Sequence, residues 1–268
     1  EKDYESNLRE IAARGSKLVF AIGFNMQDAC KTVAQEYPDV KFAIVDGLVE
    51  LPNVRSLLFK EEEGSFLVGY LAGLMTKTGK IGFVGGQEIP LIHKFQFGYM
   101  AGAKTANPSV EFLAPKYTGD WDNIDMAMAS ANVIYTGGAD IVYHAAGRAG
   151  LGVIRAAKDR GTLAIGVDSD QDHIEPGSVL TSMIKRVDVS VFSTISDMMA
   201  GKFTDGVQVF DLKSEGVGTS AFKYTKDMIG EENLKKLEEV KQKIVSGEIK
   251  APATAEEYDA FLSKMEGG

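Results

Sequence analysis

What constrains this chain most is an alternation. Short apolar runs ending on Gly, Asn or Asp recur along it, each followed by a longer stretch with helical spacing. Residues 17–23 (KLVFAIG) and 41–46 (KFAIVD) read as buried strands rich in Val, Ile and Phe, with a helix over 28–36 between them. A third strand follows at 54–59, then a helix over 63–76 whose small residues Gly69, Ala72 and Gly73 suit close packing on a sheet. After the Lys77-Thr78-Gly79-Lys80 break a second series begins. Its strands are 81–85, 111–117, 141–144 and 163–167, separated by helices over 92–105, 123–137 and 149–158. Strands joined through helices make right-handed crossovers and pair in parallel, with helices on both faces of the sheet. Two such series predict an α/β chain of two doubly wound parallel-sheet lobes. The length of 268 residues, about twice that of an ordinary domain, agrees.

Beyond the second series, residues 179–184 read as a strand, 187–200 as a helix and 207–212 as a strand. The tail at 231–249 is Lys/Glu-rich with apolar Leu234, Leu237, Val240 and Ile244, an amphipathic surface helix. The expected partition is a first lobe of 1–78 plus 187–212, a second lobe of 79–186, and a strand and helical segment at 213–268 packed on the lobes. One irregularity stands out. Doubly wound lobes usually open with a strand, whereas this chain opens with a helix over 4–13, apolar at Leu8 and Ile11, and its first series has only three strands. The first lobe is therefore expected to be incomplete, with a strand and helix, or a whole βαβ unit, outside these residues.

Charge and residue usage exclude several classes. Lys and Arg number 29 against 38 Asp and Glu, so the net charge is −9, and no basic stripe offers the surface that releases counterions from a nucleic acid. Nucleic acid is not an expected partner. One cysteine, Cys30, rules out an intrachain disulfide and a thiolate metal cluster, and His93, His144 and His173 share no metal-ligand spacing. No metal or cofactor is expected. No run approaches the roughly 18–20 apolar residues of a membrane-spanning helix, and the first residues, Glu1-Lys2-Asp3, are not an export signal. Either the protein is cytoplasmic or a signal or lipid-anchor segment lies outside these residues.

In open α/β sheets ligands bind beyond the carboxyl ends of the strands. Here those positions hold Gly23 to Asp28, Asp46-Gly47, Gly85 to Glu88, Gly119 to Asp122, Ala145 to Arg148 and Asp168 to Gln171. Aromatics, acids, amides and glycines in that arrangement suit a planar, hydroxylated ligand. An aromatic gives a stacking face, and a carboxylate accepts from adjacent ribose hydroxyls. Trp121, the only tryptophan, reads as a stacking platform or as a core or lobe-edge residue. Asp168 reads as a sugar-hydroxyl acceptor or as a turn-forming aspartate. Lys185 could reach the ligand, or be an exposed cation beside a hinge. Gly85-Gly86 lacks both common nucleotide-loop patterns, and the G-x-x-G-x-G at 147–152 is better explained by helix entry. His144 has no accompanying G-x-S-x-G nucleophile, and Asp168 and Asp170, two apart in a loop, do not make a metal pair.

Several ordered motifs resemble one family. Glu63 to Gly73 (EGSFLVGYLAG), residues 80–86 (KIGFVGG), Ile89-Pro90 and 97–103 (FGYMAGA) are similar to the basic membrane protein family, as are 143–147 (YHAAG), 164–171 (AIGVDSDQ) and 179–186 (VLTSMIKR). That family comprises substrate-binding lipoproteins of ABC transporters, including purine nucleoside receptors. The resemblance runs from about residue 1 to beyond 245. It implies a type I periplasmic-binding fold, closing about hinge segments near 77–80, 185–187 and 212–218. It also implies a nucleoside, most often a purine, held between the lobes, delivery to ABC permease subunits, and a lipid anchor outside this chain that places the protein on the extracytoplasmic face of the membrane or in the periplasm. Carried onto these residues, Trp121 falls at the family's second-lobe stacking aromatic, Gly147 in its ribose-contacting loop, Asp168 at its ribose-binding acid and Lys185 at the lysine of the same site. A polar base contact falls in the loop holding Asn25 and Asp28. The family's opening strand and its G-G-x-x-D-x-S-F-N-like loop have no match here. A nucleoside-processing hydrolase and a ligand-sensing regulator domain use similar folds, but neither a nucleophile with paired acid and base nor a helix-turn-helix is evident. The protein is not expected to be an enzyme.

Overall fold

The computed structural model describes residues 3–267. In chain order its helices are α1 (Tyr4–Ala13), α2 (Gln27–Glu36), α3 (Glu61–Met75), α4 (Pro90–Ala106), α5 (Ile124–Thr136), α6 (Leu151–Arg160), α7 (Val187–Met199), α8 (Lys226–Ile229), α9 (Glu231–Val245) and α10 (Ala255–Glu266). The strands are β1 (Leu18–Ile22), β2 (Lys41–Val45), β3 (Val54–Phe59), β4 (Lys80–Gly85), β5 (Glu111–Phe112), β6 (Lys116–Tyr117), β7 (Ile141–Ala145), β8 (Leu163–Asp168), β9 (Val179–Lys185), β10 (Gly206–Phe210) and β11 (Val217–Thr219). Contacts divide the chain into two compact units. The first holds the residues up to Lys60 and then Arg186–Gly216, and the second holds Glu61–Lys185 and the residues from Val217 onward.

The first unit is a parallel sheet in the order β1-β2-β3-β10. Val19 and Ala21 on β1, Phe42 and Ile44 on β2 and Val54 on β3 pack with Leu8 of α1 and Cys30 and Val33 of α2. The connection between β2 and β3 is fixed by one amide: Asn53 Nδ2 lies within 2.9–3.2 Å of the carbonyls of Ala34, Tyr37 and Val40. Asn53 is only 4% exposed, so its removal takes a donor away from carbonyls in a buried place, of which that of Tyr37 keeps the Val40 N–H. Asn53→Ala is expected to cost about 1–3 kcal/mol, read as a lower urea midpoint at unchanged m-value. Arg55 ties the other end of the sheet, pairing with Asp197 of α7 at 2.7 Å and donating to the Thr204 carbonyl at 2.8 Å. Strand β1 is an edge with Ile22 52% exposed, and α7 presents Phe192 and Met199, 73% and 85% exposed, at helical spacing.

The second unit carries a seven-stranded sheet in the order β11-β9-β8-β7-β4-β5, with β6 also on β4. All pairings are parallel except β11 on β9. Residues 111–117, expected as one strand, form two short ones on the same side of β4, because Pro115 has no N–H for the ladder. Alternation sorts the faces of β7: Val142 packs with α5 and α6, while the ring of Tyr143, one residue on, lies tilted against Tyr99 of α4 and its hydroxyl meets that of Ser65 of α3 at 3.1 Å.

Helix α3 is where sequence and structure part. Gly69 and Gly73 were expected to meet a sheet but meet α4, whereas Gly64, nearer the helix start, does face the sheet at Met183 of β9 and Val217 of β11. A methyl carbon on Gly69 would fall 2.0 Å from the Tyr99 carbonyl oxygen, and one on Gly102 of α4 would fall 2.0 Å from the Phe66 carbonyl oxygen. The two helices touch backbone to backbone. This contact puts α3 in the second unit and moves the chain's passage from the first unit to Lys60 and Glu61, ahead of the expected break at 77–80. The tail also belongs to the second unit. Helix α9 buries Leu237, Val240 and Ile244, and a further helix, α10, follows a Thr254 cap that accepts from the Glu257 N–H at 3.2 Å. It packs Tyr258 near Phe97 and Phe261 near Phe66. No helix among the described residues is long and apolar enough to cross a membrane.

Candidate functional site

In the second unit the parallel strands β4, β7, β8 and β9 end at Gly85, Ala145, Asp168 and Lys185, and four of the sequence-derived candidates sit at or just beyond these ends. Trp121 is placed by a loop built from turn residues. Gly119 N–H donates to the Gly86 carbonyl at 2.7 Å, and Asp120 accepts from the N–H groups of Asp122 and Asn123 at 2.6 and 2.9 Å. Asn123 then caps α5 by accepting from Met126 N–H at 3.0 Å. The indole lies across bare backbone: a methyl carbon on Gly86 would fall 2.2 Å from its Cζ3. The Trp121 carbonyl accepts from Ala149 N–H at 2.8 Å, which fastens it to the turn Gly147–Gly150. Gly147 opens that turn at φ 56°, where a side chain would be strained, and a methyl carbon there would lie 3.6 Å from the indole Cε3. Trp121, Gly86 and Gly147 therefore form one surface, with an aromatic ring packed close against glycine backbone.

Asp168 ends β8 at φ 66°, in a left-handed conformation that aspartate tolerates better than most residues, and it is exposed. The loop after it is held from below. Gln171 accepts from Val167 N–H at 2.9 Å and its own N–H donates to Ser182 Oγ at 3.0 Å. Ser182 and Ser220 donate to the two oxygens of Asp172 at 2.7 and 2.6 Å. Asp172 is 1% exposed, and burial pushes its pKa up against the pull of the two serines. Sequence reading missed this anchor, although its acid follows Asp168 and Asp170 in a run spaced by two. Nearby His144, fully buried at the end of β7, is packed against Gly150, and burial holds its pKa down to about 4, with a smaller opposing pull from the Gln171 side chain. Neither ring nitrogen makes a hydrogen bond of ordinary length among the described residues.

Lys185 differs most from the simplest sequence reading. Its side chain is 4% exposed rather than solvated, and its Nζ lies 3.0 Å from Glu61 Oε1. Phe95 faces the ammonium at 5.9 Å. The second oxygen of Glu61 pairs with Lys94, which also lies 3.4 Å from Glu62 Oε2. Burial alone would raise the Glu61 pKa, but Lys185 and Lys94 outweigh it and hold the carboxyl below its ordinary range. The signal for Glu61 was present in the Glu61-Glu62-Glu63 run, which as a sequence reads only as a set of helix-start acids.

The remaining candidates lie in the first unit. Gly23, at φ 103°, turns the chain out of β1 into a short turn, Phe24–Met26, that holds Asn25, half-buried. Asp28 is exposed in the first turn of α2, where the helix dipole favours an acid. Between them Gln27 accepts from Leu48 N–H at 2.9 Å, tying this turn to the loop after β2. No group of acids, histidines and cysteine among the described residues could hold a metal ion.

Residues 1–255 match the family described as ABC transporter substrate-binding protein PnrA-like. The CD4+ T-cell-stimulating antigen of Listeria monocytogenes is 38% identical over 94% of this chain and 74% of its own length. Basic membrane protein A of Borreliella burgdorferi is 36% identical over 98% of this chain and 78% of its own length. Among solved structures, an ABC transporter solute-binding protein of Aeropyrum pernix superposes with a TM-score of 0.86 at 29% identity, covering 99% of this chain and 86% of that one. Another from Conexibacter woesei gives a TM-score of 0.76 at 25% identity over 94% of this chain and 84% of that one. Its sequence, its parallel α/β units and these likenesses agree that the chain belongs to the basic membrane protein family of ABC transporter substrate-binding proteins.

Proposed function

We propose that the solute bound by this protein is a nucleoside, with a purine favoured over a pyrimidine. The role in transport follows from the family, whose members bind a solute and work with permease components on the extracytoplasmic side of the membrane. The observation that carries the finer reading is the pairing of an aromatic surface with an acid and an ammonium at neighbouring strand ends. Trp121 lies on Gly86 beside Gly147, Asp168 ends β8, and Lys185 ends the adjacent β9. In this reading the indole stacks on the base, Asp168 accepts from ribose hydroxyls, Lys185 donates to a ribose oxygen, and Gly147 lets the sugar approach the backbone. Asn25 and Asp28 are proposed as polar contacts to the base, on the family resemblance. ABC permease subunits are the proposed partners, and a lipid anchor the proposed attachment to the membrane.

Calorimetric titration of guanosine, inosine, adenosine and uridine, each beside its free base, tests this. Ribosides are expected to bind more tightly than bases, and purine ribosides more tightly than uridine. Trp121→Ala is expected to weaken guanosine binding by about 1–3 kcal/mol, the range of a base stacked on an aromatic side chain. A folded Trp121→Ala protein with unchanged affinity would remove the indole from the site. A folded wild-type chain that binds none of the eight compounds would retire the nucleoside reading.

A further inference from the structure

We propose that Glu61 is the positioning residue for Lys185, setting where its ammonium stands at the carboxyl end of β9. The consequence for a ribose ligand rests on the nucleoside reading above; the positioning itself does not. A lysine side chain loses much rotamer freedom when its amine must occupy one place, and a flexible lysine at a strand end would offer its charge to a ligand at an entropic cost. Here that cost is met within the fold. Glu61 is the first residue of α3 and Lys185 the last of β9, and the 3.0 Å contact between Glu61 Oε1 and Nζ joins the two elements. The carboxylate is itself immobile. Its side chain is 1% exposed, and its other oxygen pairs with Lys94 of α4, which Glu62 holds from a second direction at 3.4 Å.

Two acids and two ammoniums thus meet at this place, and the side chain of Lys185 is the member at a strand end of the candidate site. Lys94 keeps Glu61 charged and in place, and Phe95 limits the ammonium from another side at 5.9 Å. A buried ion pair is poor evidence for stability, since well-packed apolar residues often do as well. Its worth here is geometric. The pair also joins the two residues at which the chain enters the second unit and first leaves it, so the same contact that aims the amine ties together the two ends of that segment.

The test uses the whole chain in three forms, wild type, Glu61→Gln and Glu61→Asp, with a small amine-acetylating reagent as probe and mass spectrometry as readout. In the wild type Lys185 is expected to react at least about tenfold more slowly than Lys158, whose side chain is 53% exposed. Glu61→Gln is expected to raise the Lys185 rate about tenfold with Lys158 unchanged, and Glu61→Asp, which keeps the charge but shortens its reach, by less. Guanosine and guanine are then titrated into each. Glu61→Gln is expected to weaken guanosine about tenfold, the loss of one charge-assisted contact, while guanine is unaffected, with partial recovery in Glu61→Asp. Wild-type labelling of Lys185 as fast as Lys158, or labelling unchanged by either substitution, overturns the positioning role. Equal weakening of guanosine and guanine with Lys185 labelling unchanged assigns Glu61 to general stability and overturns the positioning role, whereas equal weakening with Lys185 released to the reagent removes only the ribose contact. If the wild type binds neither compound but Glu61→Gln still releases Lys185 to the reagent, the positioning stands and the nucleoside reading falls. Should Glu61→Gln fail to fold, the wild-type and Glu61→Asp rates decide.

Discussion

Gly102→Val is expected to lose about 3 kcal/mol of unfolding free energy or more, and Gly69→Val a comparable amount, each seen as a large drop in denaturant midpoint. Intrinsic preference points the other way at these helix-interior positions, where a glycine is about 1 kcal/mol worse than alanine. The sign is decided by what the new carbon would meet. At Gly102 it is the Phe66 carbonyl oxygen at 2.0 Å and at Gly69 the Tyr99 carbonyl oxygen at the same distance, both backbone atoms of the facing helix. Neither can turn aside as a side-chain tip could, so α3 and α4 must separate and expose an interface that includes Phe66, Leu71 and Tyr99, each fully buried. Gly218→Ala is the control. Nothing lies within 4 Å of a carbon added there, so its effect should stay within about 0.5 kcal/mol. Equal midpoints for Gly102→Val and Gly218→Ala would show that α3 and α4 are not held at backbone contact.

The second large effect is a dependence on acidity. Burial lowers the pKa of His144 from 6.5 to about 4, so the folded protein prefers the neutral ring. In the unfolded chain the same ring protonates near its ordinary pKa. The stability due to this difference is therefore present in full above about pH 6.5 and is lost as pH falls to about 4, where it amounts to roughly 3 kcal/mol. Asp172 and Glu62 shift the opposite way, since burial raises both and makes their protonation favour the folded state, whereas Glu61, held low, adds to the loss on acidification. Urea midpoints of wild type and His144→Gln at pH 7, 5.5 and 4.5 separate these contributions. The wild type should fall more steeply, and parallel curves would mean that His144 titrates normally. An imidazole resonance followed by NMR should still report the neutral ring at pH 5.

Much of the architecture was written in periodicity. Strands β1, β2, β4 and β8 are apolar runs closed by Gly or Asp, and helices join β1 to β2, β4 to the strands after it and β7 to β8, whereas β2–β3 and β8–β9 pair in parallel through loops alone. What periodicity could not give was which surface a helix covers. Gly69 and Gly73 announced a close neighbour without saying whether it was a sheet or another helix, because both accept a bare backbone. Residues at the strand ends were legible for the same reason that strands were. Trp121, Gly147, Asp168 and Lys185 follow or end apolar runs, and the topology brings such places to one edge. Their supports were not legible. Asp172 and Glu61 act through partners distant in the chain, Ser220 and Lys185, and no local spacing announces a contact of that kind.

The pairing of β10 with β3 has a consequence for how the protein is made. The first unit cannot finish its sheet until residues 206–210 are available, and the second cannot place β11 on β9 until residues 217–219 are. A chain leaving the ribosome therefore carries β1, β2 and β3 as an open sheet lacking its fourth strand while the whole central portion is still being synthesised. Both units close late and nearly together, and distant strand pairings of this sort are slow to form. Newly made chains should thus spend their longest interval of exposure before the last quarter of the sequence emerges, which is when a chaperone has the most to bind.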